Sequence, residues 1–138
     1  MTRSTASLIG LAMMLAPYAA AAENVPDAFS VEWQGQHPCE KLYEDAQIRI
    51  GRCTFPPGAV HVCHFHPADL VYTVSGGKGQ VRDAMGTREF ENKTGAFSNN
   101  APMPWHEFKN IGDTTITYLL VEKKYEPAPA VDQQVCKQ

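Results

Sequence analysis

The chain has 138 residues, 12 of them basic and 15 acidic, for a net charge of −3 with histidines neutral. No basic cluster offsets that balance, which argues against nucleic acid or an anionic membrane surface as a partner. With 43% hydrophobic residues there is enough apolar material for one core, and four cysteines and five histidines are the side chains from which chemistry can be built.

Residues 1–22 read as a secretory signal peptide. Arg3 supplies the positive start, 6–16 the apolar core, and Pro17 followed by Ala20, Ala21 and Ala22 the small-residue cleavage region. The apolar run is too short to span a bilayer, and neither a lipid-attachment cysteine nor a twin arginine accompanies it. A periplasmic or secreted protein, free of the membrane after signal cleavage, is therefore expected. Removal of 1–22 takes Arg3 with it and leaves 11 basic against 15 acidic residues, a net charge of −4. Residues 23–138 are the size of one domain, with its core over 29–124 and an extended arm over 125–138, where Pro127 and Pro129 disfavour regular structure.

Within that core the pattern is short β-branched and aromatic runs separated by turn residues, without helical periodicity. Strands are predicted over 29–33, 47–54, 60–66, 70–75, 79–84, 87–92, 96–99, 105–109 and 114–122. The breaks between them fall at Pro56-Pro57-Gly58, Gly76-Gly77, Met85-Gly86 and Gly112-Asp113. Short strands at this density predict an all-β sandwich or barrel.

The strand over 60–66 concentrates His61, His64 and His66. Side chains alternate along a strand, so His64 and His66 share one face while His61, Cys63 and Phe65 take the other. Two imidazoles so placed can share one metal ion if a third donor arrives from elsewhere, although a solvated polar face would look the same. His61 is on the wrong face unless the strand is bulged, and His37 lies in an irregular polar stretch; both read as surface histidines.

Spacing on either side of the pair adds to it. Five residues separate Gly58 from His64, three separate His66 from position 70, and Gly77 follows after six more. Ten residues separate Gly95 from His106, and three separate His106 from Asn110. With these spacings the chain resembles a small single-domain cupin of the RmlC-like jelly-roll superfamily, whose first motif is a Gly, an HxH, a Glu and a Gly and whose second is a Gly, a Pro, a Gly, a His and an Asn. Gly58, His64, His66, Gly77, Gly95, His106 and Asn110 match. Leu70 stands where most members carry a glutamate ligand, and Ala101 and Met103 replace the second motif's Pro and Gly, between Pro102 and Pro104.

The resemblance implies a cupin-type double-stranded β-helix, a conical jelly-roll barrel holding a metal ion on His64, His66 and His106 without the carboxylate. Such an all-nitrogen set suits nickel, copper, zinc or iron better than manganese. It implies a metal-dependent enzyme of oxygenase, isomerase or lyase type acting on a small organic molecule. The alternative, which Leu70 supports, is a non-catalytic small-molecule or metal-binding cupin. A homodimer paired through outer strands is a further implication. If position 70 faces inward as the family's glutamate does, Tyr72 and Val74 follow it and Asp69 points away; His106 inward brings Phe108 and, on the preceding strand, Phe97 and Asn99. Tyr72 and Asn99 are thus the candidate catalytic residues, with Met103 and Trp105 at the rim. No general base emerges, because Asp69 and Glu107 face outward on this parity.

Four cysteines in an exported domain predict disulfides, with three pairings open. One arrangement staples the ends through Cys39 and Cys136 and bridges Cys53 to Cys63 across the Pro56 turn; the alternative has one terminal bridge and a free Cys63. Protein recovered from its native host is expected to begin close to Glu23 by mass spectrometry, and an intact Met1 form as the main product would refute export.

Overall fold

The computed structural model describes residues 25–127, 129, 135 and 136. The expected signal peptide and most of the C-terminal arm lie outside the described residues. The described residues form nine strands: β1 (Cys39–Glu44), β2 (Ile48–Phe55), β3 (Val60–His66), β4 (Asp69–Ser75), β5 (Gly77–Asp83), β6 (Gly86–Asn92), β7 (Phe97–Asn100), β8 (Met103–Asn110) and β9 (Ile116–Lys123). They form two antiparallel sheets, one in the order β1-β2-β9-β4-β7 and the other β3-β8-β5-β6. This is the expected all-β jelly roll. Phe55, Phe108, Ile116 and Leu120 make its core with the Cys39–Cys53 bridge, and Phe90 and Tyr118 pack at the edge.

Two elements differ from the sequence-based expectation. The strand predicted over 29–33 is a strap of turns. Asp27 accepts the Phe29 N–H on its side chain and the Ser30 N–H on its carbonyl, which curls the backbone away from an extended course. The strap docks through buried Val25, Ala28 and Val31, and Asp27 bridges to Phe65 of β3. Conversely, β1 has no apolar alternation to announce it. Only Cys39 of its six residues is buried, as suits an edge strand with one wet face.

The turns at one end of the barrel are tied together by Asn110. Its Nδ2 donates to the carbonyls of Phe55 (2.8 Å) and Thr114 (2.7 Å), and its Oδ1 accepts the Gly112 N–H at 3.0 Å. Its main chain exchanges hydrogen bonds with Ala59 and Gly58. Gly58, at φ +80°, lets the β2–β3 turn reach it, a conformation strained for other residues. The motif positions Gly58 and Asn110 thus fix how β2–β3 meets β8–β9.

Both expected cysteine arrangements are corrected. Cys39 bridges Cys53, its direct partner across the β1–β2 ladder, and Cys63 bridges Cys136; none of the four is free. Cys53 and Cys63 do not pair, because each sulfur is bonded to another partner. Peptide mapping without reductant should recover these two links and no free thiol, and reduction should lower stability by about 2–4 kcal/mol per bridge. A Cys53–Cys63 peptide would contradict the register of β1.

Candidate metal centre

The β3–β8 ladder decides which histidines meet. His61 pairs with Phe108 and His64 with His106, so three residues of β3 run against two of β8; between His64 and His66 the surplus falls on β8, where His66 pairs with Met103. Each surplus residue is a β-bulge, and each shifts the side-chain alternation by one. His61, His64, His66 and His106 consequently all face the interior. The reading of His61 as a surface residue is corrected. It is buried, its Nε2 donates to the Ala28 carbonyl at 2.8 Å, and its ring lies 3.7 Å from that of His64 between centroids. His37 is where the sequence put it, half exposed, with Nδ1 donating to the Val31 carbonyl at 3.1 Å.

His64, His66 and His106 converge so that one nitrogen from each lies within 4.8 Å of the others. Hydrogen bonds fix the tautomers of two of them. His64 Nδ1 donates to the Val62 carbonyl at 2.6 Å, and His66 Nδ1 donates to Glu122 Oε1 at 3.1 Å. Both Nε2 atoms then carry lone pairs, yet they stand 3.0 Å apart, and His106 Nε2 is 2.8 Å from His64 Nε2. Two lone pairs at that distance repel unless a cation lies between them. A transition metal with bonds of ~2.0–2.1 Å at right angles would hold its nitrogens ~2.8–3.0 Å apart, so the two separations centred on His64 fit such an ion. Burial holds His64 and His106 well below the ordinary histidine range, with the neighbouring imidazoles adding to it, so both stay in the neutral form that ligates metals.

Behind His66 runs a buried charge network that sequence reasoning missed. Glu122 is 0% exposed; its Oε2 accepts from Arg49 Nε at 2.7 Å and from the terminal nitrogen that also binds Asp27. The Arg49 guanidinium stacks 4.3 Å over Phe29. Asp69 stands nearby, with Oδ2 3.9 Å from His66 Nδ1 and Oδ1 accepting from Asn100 Nδ2 at 2.7 Å. Burial raises the Asp69 carboxyl above its ordinary range. The only hint of Glu122 in the sequence was an acid closing an otherwise apolar strand.

Asp69 and Val71 line the interior, which turns Leu70, Tyr72 and Val74 outward. The parity expected for this strand is therefore off by one. Tyr72 is 46% exposed on the outer face; Asn99, opposite Leu70 in the β4–β7 ladder, is exposed and accepts from Lys123 Nζ; Phe97, opposite Tyr72, is 64% exposed. Neither candidate catalytic residue reaches the interior. Ser98 and Asn100 line it instead, and Tyr118 and Asn92 supply the tyrosine and asparagine of the cavity. Met103 lines the cavity next to His66, as expected for the rim, whereas Trp105 packs with Arg82 at 5.3 Å from guanidinium to ring. Phe108 is inward, as expected.

The cavity beside the histidines measures about 350 Å³. His66 and His106 form part of its wall, while His64 is fully buried behind them.

No family model and no curated protein matches the chain. Solved structures do. A cupin domain from Bordetella pertussis Tohama I superimposes with a TM-score of 0.59 at 18% identity, over 74% of this chain and 98% of that one. A cupin-like protein from Thermotoga maritima MSB8 gives 0.53 at 20% identity, over 69% and 75%. The polyketide cyclase RemF from Streptomyces resistomycificus gives 0.52 at 18%, over 68% of each chain. At such identities the likeness defines the fold: the chain is a double-stranded β-helix of the cupin type.

Burial gives the centre a pH dependence of known sign. His61 is pushed down to about 3 by burial, so the unfolded chain, with its histidines near 6.5, binds more protons throughout that window. Stability is full above about pH 6.5 and declines as pH falls toward 3, by on the order of a few kcal/mol. Urea midpoints of the metal-free protein should therefore drop steadily between pH 7 and 4, and His61→Gln should flatten the slope; a midpoint independent of pH would contradict the burial of these rings.

Proposed function

We propose that the mature protein is an exported metalloprotein holding one divalent transition-metal ion on His64, His66 and His106, and that it is an enzyme converting a small organic molecule in the adjoining cavity. The observation that carries the reading is the pair of lone-pair-bearing Nε2 atoms at 3.0 Å, each oriented by a hydrogen bond on its far side. Export is supported by the two disulfides, which persist in oxidising compartments. Nickel, copper, zinc and iron fit the donor set. Bound there, the ion would act as a Lewis acid toward a substrate oxygen.

The protein's own residues divide the remaining tasks. Glu122 holds the His66 ring and its tautomer, the apolar walls exclude water, and Asp69, fixed by Asn100, is the carboxyl nearest the centre on the cavity side. Asp69 answers the want of a candidate acid or base that otherwise favoured a pure binding domain, and for that reason we place catalysis ahead of storage.

Elemental analysis of untagged protein should find close to one divalent transition-metal ion per chain, and His64→Ala, His66→Ala or His106→Ala should each release most of it. Glu122→Gln should lower stability by about 3–5 kcal/mol and weaken the ion by about 10–100-fold, the usual cost of losing a ligand's hydrogen-bond partner. Leu70→Glu should leave metal content unchanged, because position 70 faces outward. A wild-type protein that cannot be loaded with any of the four metals would overturn the proposal.

A further inference from the structure

The cavity walls say more about the ligand than the metal does. Phe55, Phe90, Phe108 and Tyr118 line it, with Phe55 and Phe108 edge-to-face at 4.8 Å between centroids and Tyr118 6.0 Å from Phe108. Charge is scarce and committed. Arg88 gives both terminal nitrogens to the two oxygens of Asp83, at 2.8 and 2.7 Å, and Asp69 takes the Asn100 amide. Away from the histidines, the wall among the described residues thus has no unpaired cation to receive a carboxylate or phosphate, and its exposed surface is mostly apolar.

At the end away from the histidines stands one polar pair. Asn92 Nδ2 donates to the Tyr118 hydroxyl oxygen at 2.7 Å. Burial pushes the Tyr118 phenol up to about 12, so it stays protonated and its own O–H remains a donor. Tyr118 and Glu122 lie on the same face of β9, four residues apart, which places the phenol roughly 13 Å along the strand from the carboxylate that holds His66.

We propose that the cavity takes a neutral, oxygen-substituted aromatic molecule of about two rings, packed against the aromatic wall with one oxygen at the histidine end and another accepting from the Tyr118 hydroxyl. This rests on the proposed metal site only for the first oxygen. Specificity comes from length and from the absence of a charge partner at the Tyr118 end, so a dicarboxylate, whose second carboxylate would be desolvated there without a partner, is disfavoured.

The test is calorimetric titration of the metal-loaded mature protein, its metal content measured on the same sample, with 2,6-dihydroxynaphthalene, 2-naphthol, succinate and glucose. The diol should bind about tenfold more tightly than 2-naphthol, the contribution of one added hydrogen bond, and succinate and glucose should both bind more weakly than the diol. Tyr118→Phe should abolish the tenfold preference while 2-naphthol binds as before. Ser98→Trp, on the exposed edge strand β7, should fill the cavity and remove binding of both naphthols without changing the melting temperature, which keeps the test open should Tyr118→Phe fail to fold. Protein that holds its ion but binds neither naphthol, binds succinate or glucose as tightly as the diol, or keeps the preference in Tyr118→Phe overturns the inference. Protein that binds the diol but holds no ion sustains it and overturns the metal reading instead.

Discussion

Glu122 is a carboxylate with no contact to water, and a buried charge of that kind persists only when it is paired and hydrogen-bonded. It has Arg49 on one oxygen and His66 on the other, so the stability of the sheet and the orientation of a candidate ligand depend on the same group. Replacing one partner would leave the rest as uncompensated charge, which commonly costs 3–5 kcal/mol. The network also has a sign. Asp27 and Glu122 against Arg49 leave one negative charge, a single imidazole away from the three converging nitrogens. A site whose ligands are all neutral therefore has part of a cation's charge balanced from behind, through His66.

Much of this was legible in the sequence because it depends on residue type and spacing. Eight of the nine strands coincide with short apolar runs between glycine, proline and asparagine breaks, and the spacings that single out His64, His66 and His106 need no knowledge of pairing. What failed was parity. Alternation says which side a residue faces only relative to a neighbour on an unbroken ladder, and the β3–β8 ladder is broken twice within six residues. His61 was misplaced for that reason. On β4 the misplacement came from assuming that position 70 faces in. The ladder with β9 sets Asp69 opposite Glu122 and Leu70 opposite Val121, and because Glu122 is buried inward, Asp69 is too. An acid at the start of an apolar run looks like a surface residue until its partner across the sheet is known.

The cysteines failed for a related reason. Cys53 and Cys63 flank a tight turn and look adjacent, but that turn carries the chain from one sheet to the other, while the partner of Cys53 sits on β1, the one strand that hydrophobic pattern did not reveal. The strand expected over 29–33 gives way to turns because the local chemistry, Asp27 accepting from the Phe29 N–H, competes with the extended conformation that Phe29, Val31 and Trp33 favour.

The three converging histidines all come from the four-stranded sheet, on β3 and β8, whereas Glu122, Arg49 and Asp69 come from the five-stranded sheet. The His66–Glu122 hydrogen bond is therefore a clamp between the sheets at one end of the cavity. Asn92 of β6 and Tyr118 of β9 make a second clamp, again between the sheets, at the other. Both clamps use β9, the central strand of its sheet, and both use the same face of it. Between them Phe55 of β2 packs edge-to-face on Phe108 of β8, so the spacing of the sheets is set by hydrogen bonds at the two ends and by aromatic packing between them. Bringing the sheets together to fill that space would have to break a buried polar contact at each end, and so the fold keeps an open, apolar interior beside its histidines even though burying more surface would otherwise favour collapse.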